Sequence, residues 1–211
     1  MLRTRVNARV AAAAVLAASC SPARAQPWTP AASVTPVASA ADSCPPSGCS
    51  ALADAGVGIV SSCAGAVEVK GDVRILGGVG DCFFVVTPAP AATDYTLELD
   101  TRLAEGPGFG IWMRGSYDNG SVVSLGIQYD PGAGGLKFVH YPDTASSLHF
   151  LNHACDREWH HWKLIGSSGT TRALLDGVQV LEFSGGGVTG SQFGFRTWGG
   201  KFELRKLQVG P

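Results

Sequence analysis

The sequence predicts an all-β protein built as two packed antiparallel sheets, and three observations carry that prediction. Short runs alternate apolar and polar side chains, the period-two mark of a strand with one buried face. These runs recur at roughly 10-residue spacing with Gly-, Asp- or Pro-rich turns between them, and no segment sustains a helical period. Finally, 28 glycines in 211 residues and only 16% charged residues suit many strands joined by tight turns.

The chain opens on what reads as a secretory signal over residues 1–25. Arg3, Arg5 and Arg9 form a basic start, Val10 to Ala18 a short apolar stretch, and Ala23-Arg24-Ala25 a cleavage pattern. The apolar stretch is too short to span a bilayer, so no transmembrane segment is expected. Cys20 follows Ala17-Ala18-Ser19, but Leu16 sits four residues before it, one too far for a lipobox. Soluble export to the extracellular side is therefore expected, with a lipid anchor at Cys20 as the alternative. Removing the four leader arginines takes the formal charge from −1 to −5. No basic patch remains, which argues against nucleic acid or an anionic membrane as partner.

Residues 26–55 are rich in Pro, Ala, Ser and Thr and read as a flexible tether. Export makes disulfides plausible. Cys44 with Cys49 would close a short loop and Cys63 with Cys82 a longer one, though connectivity is not fixed by sequence. Cys155 is then left over and is expected to be a buried free thiol.

The sandwich is expected over residues 56–211. Ala66–Val69 and Val73–Leu76 flank Lys70-Gly71-Asp72, a hairpin connection. Cys82 to Val86 is a continuous apolar run closed by Pro88 and Pro90. From Tyr95 to Leu103 the odd positions are mostly apolar, while Glu98, Asp100 and Arg102 face the other way. Further strands are expected at 108–115, 122–129, 135–141, 159–166, 171–175, 178–183, 191–197 and 201–209. Asp130-Pro131-Gly132 reads as a turn and Asp176-Gly177 as a two-residue hairpin. In the last strand the apolar parity changes between Leu204 and Leu207, which predicts a β-bulge near Arg205-Lys206.

One parity pattern points to chemistry. Gly110, Trp112 and Arg114 share one side of a strand; so do Ser124, Gly126 and Gln128, and Gly194, Arg196 and Trp198. Lys137 and Tyr141 share a parity in their own strand and are candidates to join them. The opposite parity is mostly apolar and packs a core. Glycine leaves room, indole stacks on a sugar ring and arginine donates to hydroxyls, so Trp112, Arg114, Gln128, Lys137, Tyr141, Arg196 and Trp198 are expected to form a glycan-binding platform. The competing account is structural: each arginine stacks on a tryptophan and stiffens the sheet.

From about Asp94 onward the chain resembles the concanavalin A-like lectin/glucanase superfamily, most closely its laminin-G-like and family-16-glycosidase-like jelly-roll domains. Asp94-Tyr95-Thr96-Leu97-Glu98-Leu99, Gly108 to Arg114, Trp159-His160-His161-Trp162-Lys163-Leu164, Leu175-Asp176-Gly177-Val178 and Gly194-Phe195-Arg196 carry the likeness. The resemblance implies a jelly-roll sandwich and, as the leading function, a secreted, non-catalytic, lectin-like domain whose partner is a poly- or oligosaccharide. An extracellular protein-interaction or envelope-structural domain with a protein partner is the second expectation, and a glycoside hydrolase of the same fold the third. For hydrolysis the family-16 pattern places a second Glu three or four residues after the Asp. Glu98-Leu99-Asp100 lacks it, the next acid being Glu105, so no catalytic residue is assigned. His160 and His161 face opposite ways in a strand and are not expected to share a metal. No cofactor is expected. Asp118, Asn119, Asp130 and Asp143 supply hard oxygen atoms in loops, without EF-hand spacing; turn roles are expected for them, with a structural calcium as the alternative.

Overall fold

A computed structural model describes residues 50–51, 58–63, 67–143, 147–185 and 190–211. All lie in a compact unit spanning Asp42–Pro211. The expected leader, most of the expected tether and the Cys44–Cys49 pairing fall outside the described residues.

Fifteen strands are described: β1 (Ser50–Ala51), β2 (Gly58–Ser61), β3 (Val67–Lys70), β4 (Val73–Gly77), β5 (Asp81–Thr87), β6 (Tyr95–Glu105), β7 (Phe109–Asp118), β8 (Ser121–Asp130), β9 (Gly135–Tyr141), β10 (Ser147–Asn152), β11 (His160–Ser167), β12 (Thr170–Leu175), β13 (Val178–Ser184), β14 (Gln192–Trp198) and β15 (Lys201–Gly210). An eight-stranded sheet runs β13-β12-β11-β6-β15-β4-β3, with β1 also on β15. A seven-stranded sheet runs β10-β9-β8-β7-β14-β5-β2. Every described pairing is antiparallel. Ser50 pairs with Val209, so the chain joins the sheet before residue 56. Among the described residues no helix is long and apolar enough to cross a membrane.

The inward parity of both sheets meets in one core. Leu97, Leu99 and Leu103 of β6 face Ile111 and Met113 of β7, Ile127 of β8 and Phe195 of β14. Phe109 stacks between Tyr129 and Phe202, with ring centroids at 5.2 Å and 4.8 Å. Trp162 is fully buried, and its indole N–H donates to Thr101 Oγ1 at 2.9 Å, so its polar end is satisfied inside the core.

Turn chemistry sets the register. Asp176 and Gly177 both have positive φ, 50° and 79°, as a type I′ hairpin needs. Asp130 caps a single 3₁₀ turn at Pro131–Ala133, its carboxylate accepting from Ala133 N–H at 2.9 Å. In β15 the pairing shifts between Arg205 and Gln208, and Lys206 takes φ 53°, which is the bulge the parity change predicted. A disulfide links Cys63 to Cys82. It ties the chain just after β2 to β5.

Candidate functional site

The outer face of the seven-stranded sheet collects most of the residues picked out by parity. Register places them in a row. Phe150 of β10 opposes Lys137 of β9, Lys137 opposes Gln128 of β8, and Gln128 opposes Gly110 of β7. Gly110 opposes Arg196 of β14, which opposes Phe83 of β5. A second row behind it is Val139, Gly126, Trp112, Gly194 and Val85.

The glycines of this face hold the protein's own rings, which corrects one expectation. Trp112 is 0% exposed and lies over Gly194, where an added Cβ would come within 2.7 Å of its Cζ2. Its indole N–H donates to the Phe195 carbonyl at 3.1 Å. Tyr141, also 0% exposed, lies over Gly126 with its hydroxyl above Gly110. Both rings are floor, packed with Val85, Val122 and Val139 into a small second core. Neither offers a free ring to stack on a sugar. Burial raises the pKa of the Tyr141 hydroxyl, against the lowering pull of Arg196 and Gln128. That hydroxyl is closed off from solvent beneath those two side chains.

Arg196 lies on this floor. Its guanidinium is 5.3–5.4 Å from the ring centroids of Phe83, Tyr141 and Trp198 and makes two hydrogen bonds of 2.6 Å to Asp81. Burial works against its charge, and the bidentate pair outweighs burial, so its pKa is raised. Lys137 Nζ is 3.0 Å from Asp130 Oδ2. Gln128 is 5% exposed between them. Trp198 is half-buried beside Arg196.

Arg114 leaves this face, against its parity. The β7–β8 register shifts between Met113 and Ser116, and Arg114 adopts φ 55°. This bulge turns the side chain toward the eight-stranded sheet. There it packs over Gly166, donates to the Thr170 carbonyl at 3.3 Å and lies 3.5 Å from Asp94. Three contributors were not singled out from sequence. Phe150, 40% exposed, sits on β10, which was not foreseen as a strand. Phe83 belongs to the continuous apolar run, where alternation gives no face, and Asp81 directly precedes it in β5; the period-two count from Cys82 was the available signal.

The other candidates are spent elsewhere. Glu98 and Asp100 lie on the outer face of the eight-stranded sheet. Glu98 sits 3.0 Å from Lys163, and Asp100 meets His161 at 2.9 Å, Lys206 at 2.9 Å and Arg205 at 3.2 Å. His160 is held between Asp156 at 2.8 Å and Asp176 at 2.7 Å. Cys155 is a free thiol whose Sγ lies 3.5 Å from the Gly135 carbonyl; burial pushes its pKa up to about 11, so it is a poor nucleophile. Asp130 is committed to Lys137 and its cap, and among the described residues no three His, Cys, Asp or Glu side chains gather to hold a metal. A mainly apolar cavity of about 360 Å³, lined by Pro88, Pro90, Tyr95, Phe193 and Val209 among others, shares no residue with the platform.

These features define a sandwich of two antiparallel sheets with the concanavalin A-like jelly-roll fold. Among solved structures it is similar to the carbohydrate-binding module CBM66 from Bacillus subtilis, with TM-score 0.63 and 19% identity over 73% of this chain and 96% of that one. It is also similar to the exoplasmic/lumenal domain of VIP36 in its Ca2+/Man3GlcNAc-bound form, with TM-score 0.55 and 11% identity over 73% of this chain and 85% of that one. A Bacillus subtilis protein of galectin-like fold matches with TM-score 0.50 and 15% identity over 77% of this chain and 94% of that one. At these identities the likeness is one of fold. No protein-family model and no curated protein matches the sequence.

Proposed function

We propose that this protein is a secreted, non-catalytic carbohydrate-binding domain whose ligand lies on the outer face of the seven-stranded sheet. The observation that carries the proposal is the row joining Lys137, Gln128 and Arg196 between the rings of Phe150 and Phe83, with Trp198 alongside. Polar groups that donate and accept sit beside apolar ring surface, the combination a sugar's hydroxyls and C–H faces require. The carbohydrate-binding module and the glycan-bound lectin domain among the structural neighbours support the same reading. The carboxylates suited to acid–base work are held in ion pairs, which supports binding without cleavage. The disulfide is compatible with an extracellular location.

Incubation with a panel of polysaccharides, with reducing ends assayed in the same tubes, tests this directly. Retention without new reducing ends is expected, and it should be lost in the double variant Arg196→Ala/Lys137→Ala. Retention on no glycan, or unchanged retention in a folded double variant, contradicts the proposal. New reducing ends would make the protein a hydrolase.

A further inference from the structure

We propose that the ligand is a neutral, extended glycan chain lying across the strands rather than along them; this rests on the carbohydrate-binding reading above and names its ligand class. The direction follows from the register. Along β9, β8 and β14 the next residues on this face after Lys137, Gln128 and Arg196 are Val139, Gly126 and Gly194. In the other direction the face offers Gly135, Asp130 and Trp198, so a chain parallel to the strands would meet one side chain of the row and at most one further polar or aromatic neighbour. A chain crossing them meets Lys137, Gln128 and Arg196 in succession, with an aromatic ring at each end. Five inter-strand steps of about 4.8 Å put Phe150 and Phe83 about 24 Å apart, a span for several sugar units and not one.

Neutrality follows from how the charges are placed. Each cation of the row already holds a carboxylate: Lys137 holds Asp130, and Arg196 holds Asp81 through both nitrogens. An anionic sugar would have to displace them or sit against the exposed Asp81. A hydroxyl donates and accepts at once, so it matches the unused donors of the cations and the unused lone pairs of the carboxylates without breaking either pair.

The test uses the secreted chain on an array of neutral gluco-, manno-, xylo-, galacto- and fructo-hexasaccharides beside oligogalacturonate and sulfated oligosaccharides, followed by calorimetric titration of the bound series from mono- to hexasaccharide. A neutral series is expected to bind, with affinity rising about tenfold or more from disaccharide to hexasaccharide. Affinity is expected to change less than about twofold between roughly 50 and 500 mM NaCl, because no net charge is neutralised on binding. Phe150→Ala, at an exposed edge position whose loss is checked by unchanged thermal unfolding, should weaken hexasaccharide binding about fivefold and disaccharide binding by less. A monosaccharide that binds as tightly as the hexasaccharide overturns the chain claim, and preference for the anionic series overturns the charge claim, while carbohydrate binding itself stands in both cases. Binding of none of the array removes the carbohydrate reading and this one with it.

Discussion

The two outer faces of the sandwich use the same residue types to opposite ends. On the eight-stranded sheet, Trp159 lies under two guanidiniums, Arg205 at 4.1 Å and Arg102 at 4.9 Å from its ring centroid. Arg102 bonds Glu203 at 2.6 Å, and Asp100, only 10% exposed, gathers His161, Lys206 and Arg205. Its charges close on one another in a ladder. On the seven-stranded sheet, Arg196 lies among three rings over a floor of glycines and buried aromatics, and its pair with Asp81 stands apart from that of Lys137 with Asp130. A tryptophan beside an arginine therefore says little alone. What separates the two faces is the arrangement of their charges: shared partners in a ladder on one, separate pairs among rings on the other.

The disulfide gives the largest lever on this comparison, because Cys82 sits in β5 between Asp81 and Phe83, the two residues that hold Arg196. Replacing Cys63 and Cys82 by Ala should cost about 3 kcal/mol of stability through the freed loop. Chemical denaturation would read this, and glycan affinity should fall with it. Gly194→Ala comes next. The new Cβ would strike the Phe84 carbonyl and the Trp112 ring, so a loss of about 1–3 kcal/mol is expected from overpacking. Displacement of Trp112 should appear as a change in its fluorescence.

Asp100 and Asp81 then make a matched pair. Burial favours protonating Asp100, but hydrogen bonds from Lys206, His161 and Arg205 outweigh it and lower its pKa. A lowered folded-state value means its stabilisation is present above the unfolded value and is lost as pH falls through the folded one. Asp100→Ala should cost about 1–3 kcal/mol at neutral pH, leave glycan affinity unchanged and flatten the acid limb of the stability profile. Asp81→Ala, at a more exposed carboxylate, should cost less than about 1 kcal/mol but leave Arg196 unbalanced, shifting binding toward uronate-bearing glycans. Equal effects of the two substitutions on binding would erase the distinction between the faces.

The smallest expected effect lies at His160. Its burial lowers its pKa, and Asp176 and Asp156 more than reverse that, so the pKa is raised. A raised value contributes stability that is complete below the unfolded pKa, near 6.5, and is lost as pH rises through the folded value. Thermal unfolding followed from about pH 6 upward should show that decline, and His160→Gln should remove it.

Much of the sandwich was legible from local pattern. The alternation in β6, the Asp176-Gly177 turn and the parity change at Lys206 each report a feature set by neighbours in sequence, and each stands as expected. The face of the site was legible for Gly110, Trp112, Gln128, Lys137, Tyr141, Arg196 and Trp198, because strand parity is a local property. Burial was not: whether Gly194 makes room for a sugar or for Trp112 depends on a strand more than 80 residues away. Arg114 was misplaced because a one-residue bulge inverts parity, and no residue in Met113-Arg114-Gly115 announces it as plainly as the apolar shift in β15 does. β10 was missed because Leu148, His149 and Phe150 are all exposed and give no inward alternation.

The most direct test of the central claim is a backbone amide NMR titration of the protein with the neutral oligosaccharide that binds best. Binding on the seven-stranded sheet predicts shifts confined to β10, β9, β8, β7, β14 and β5, strongest at Lys137, Gln128 and Arg196, with β6, β11 and β15 unmoved. Shifts centred on Trp159 and Asp100, or on the loops alone, would contradict it.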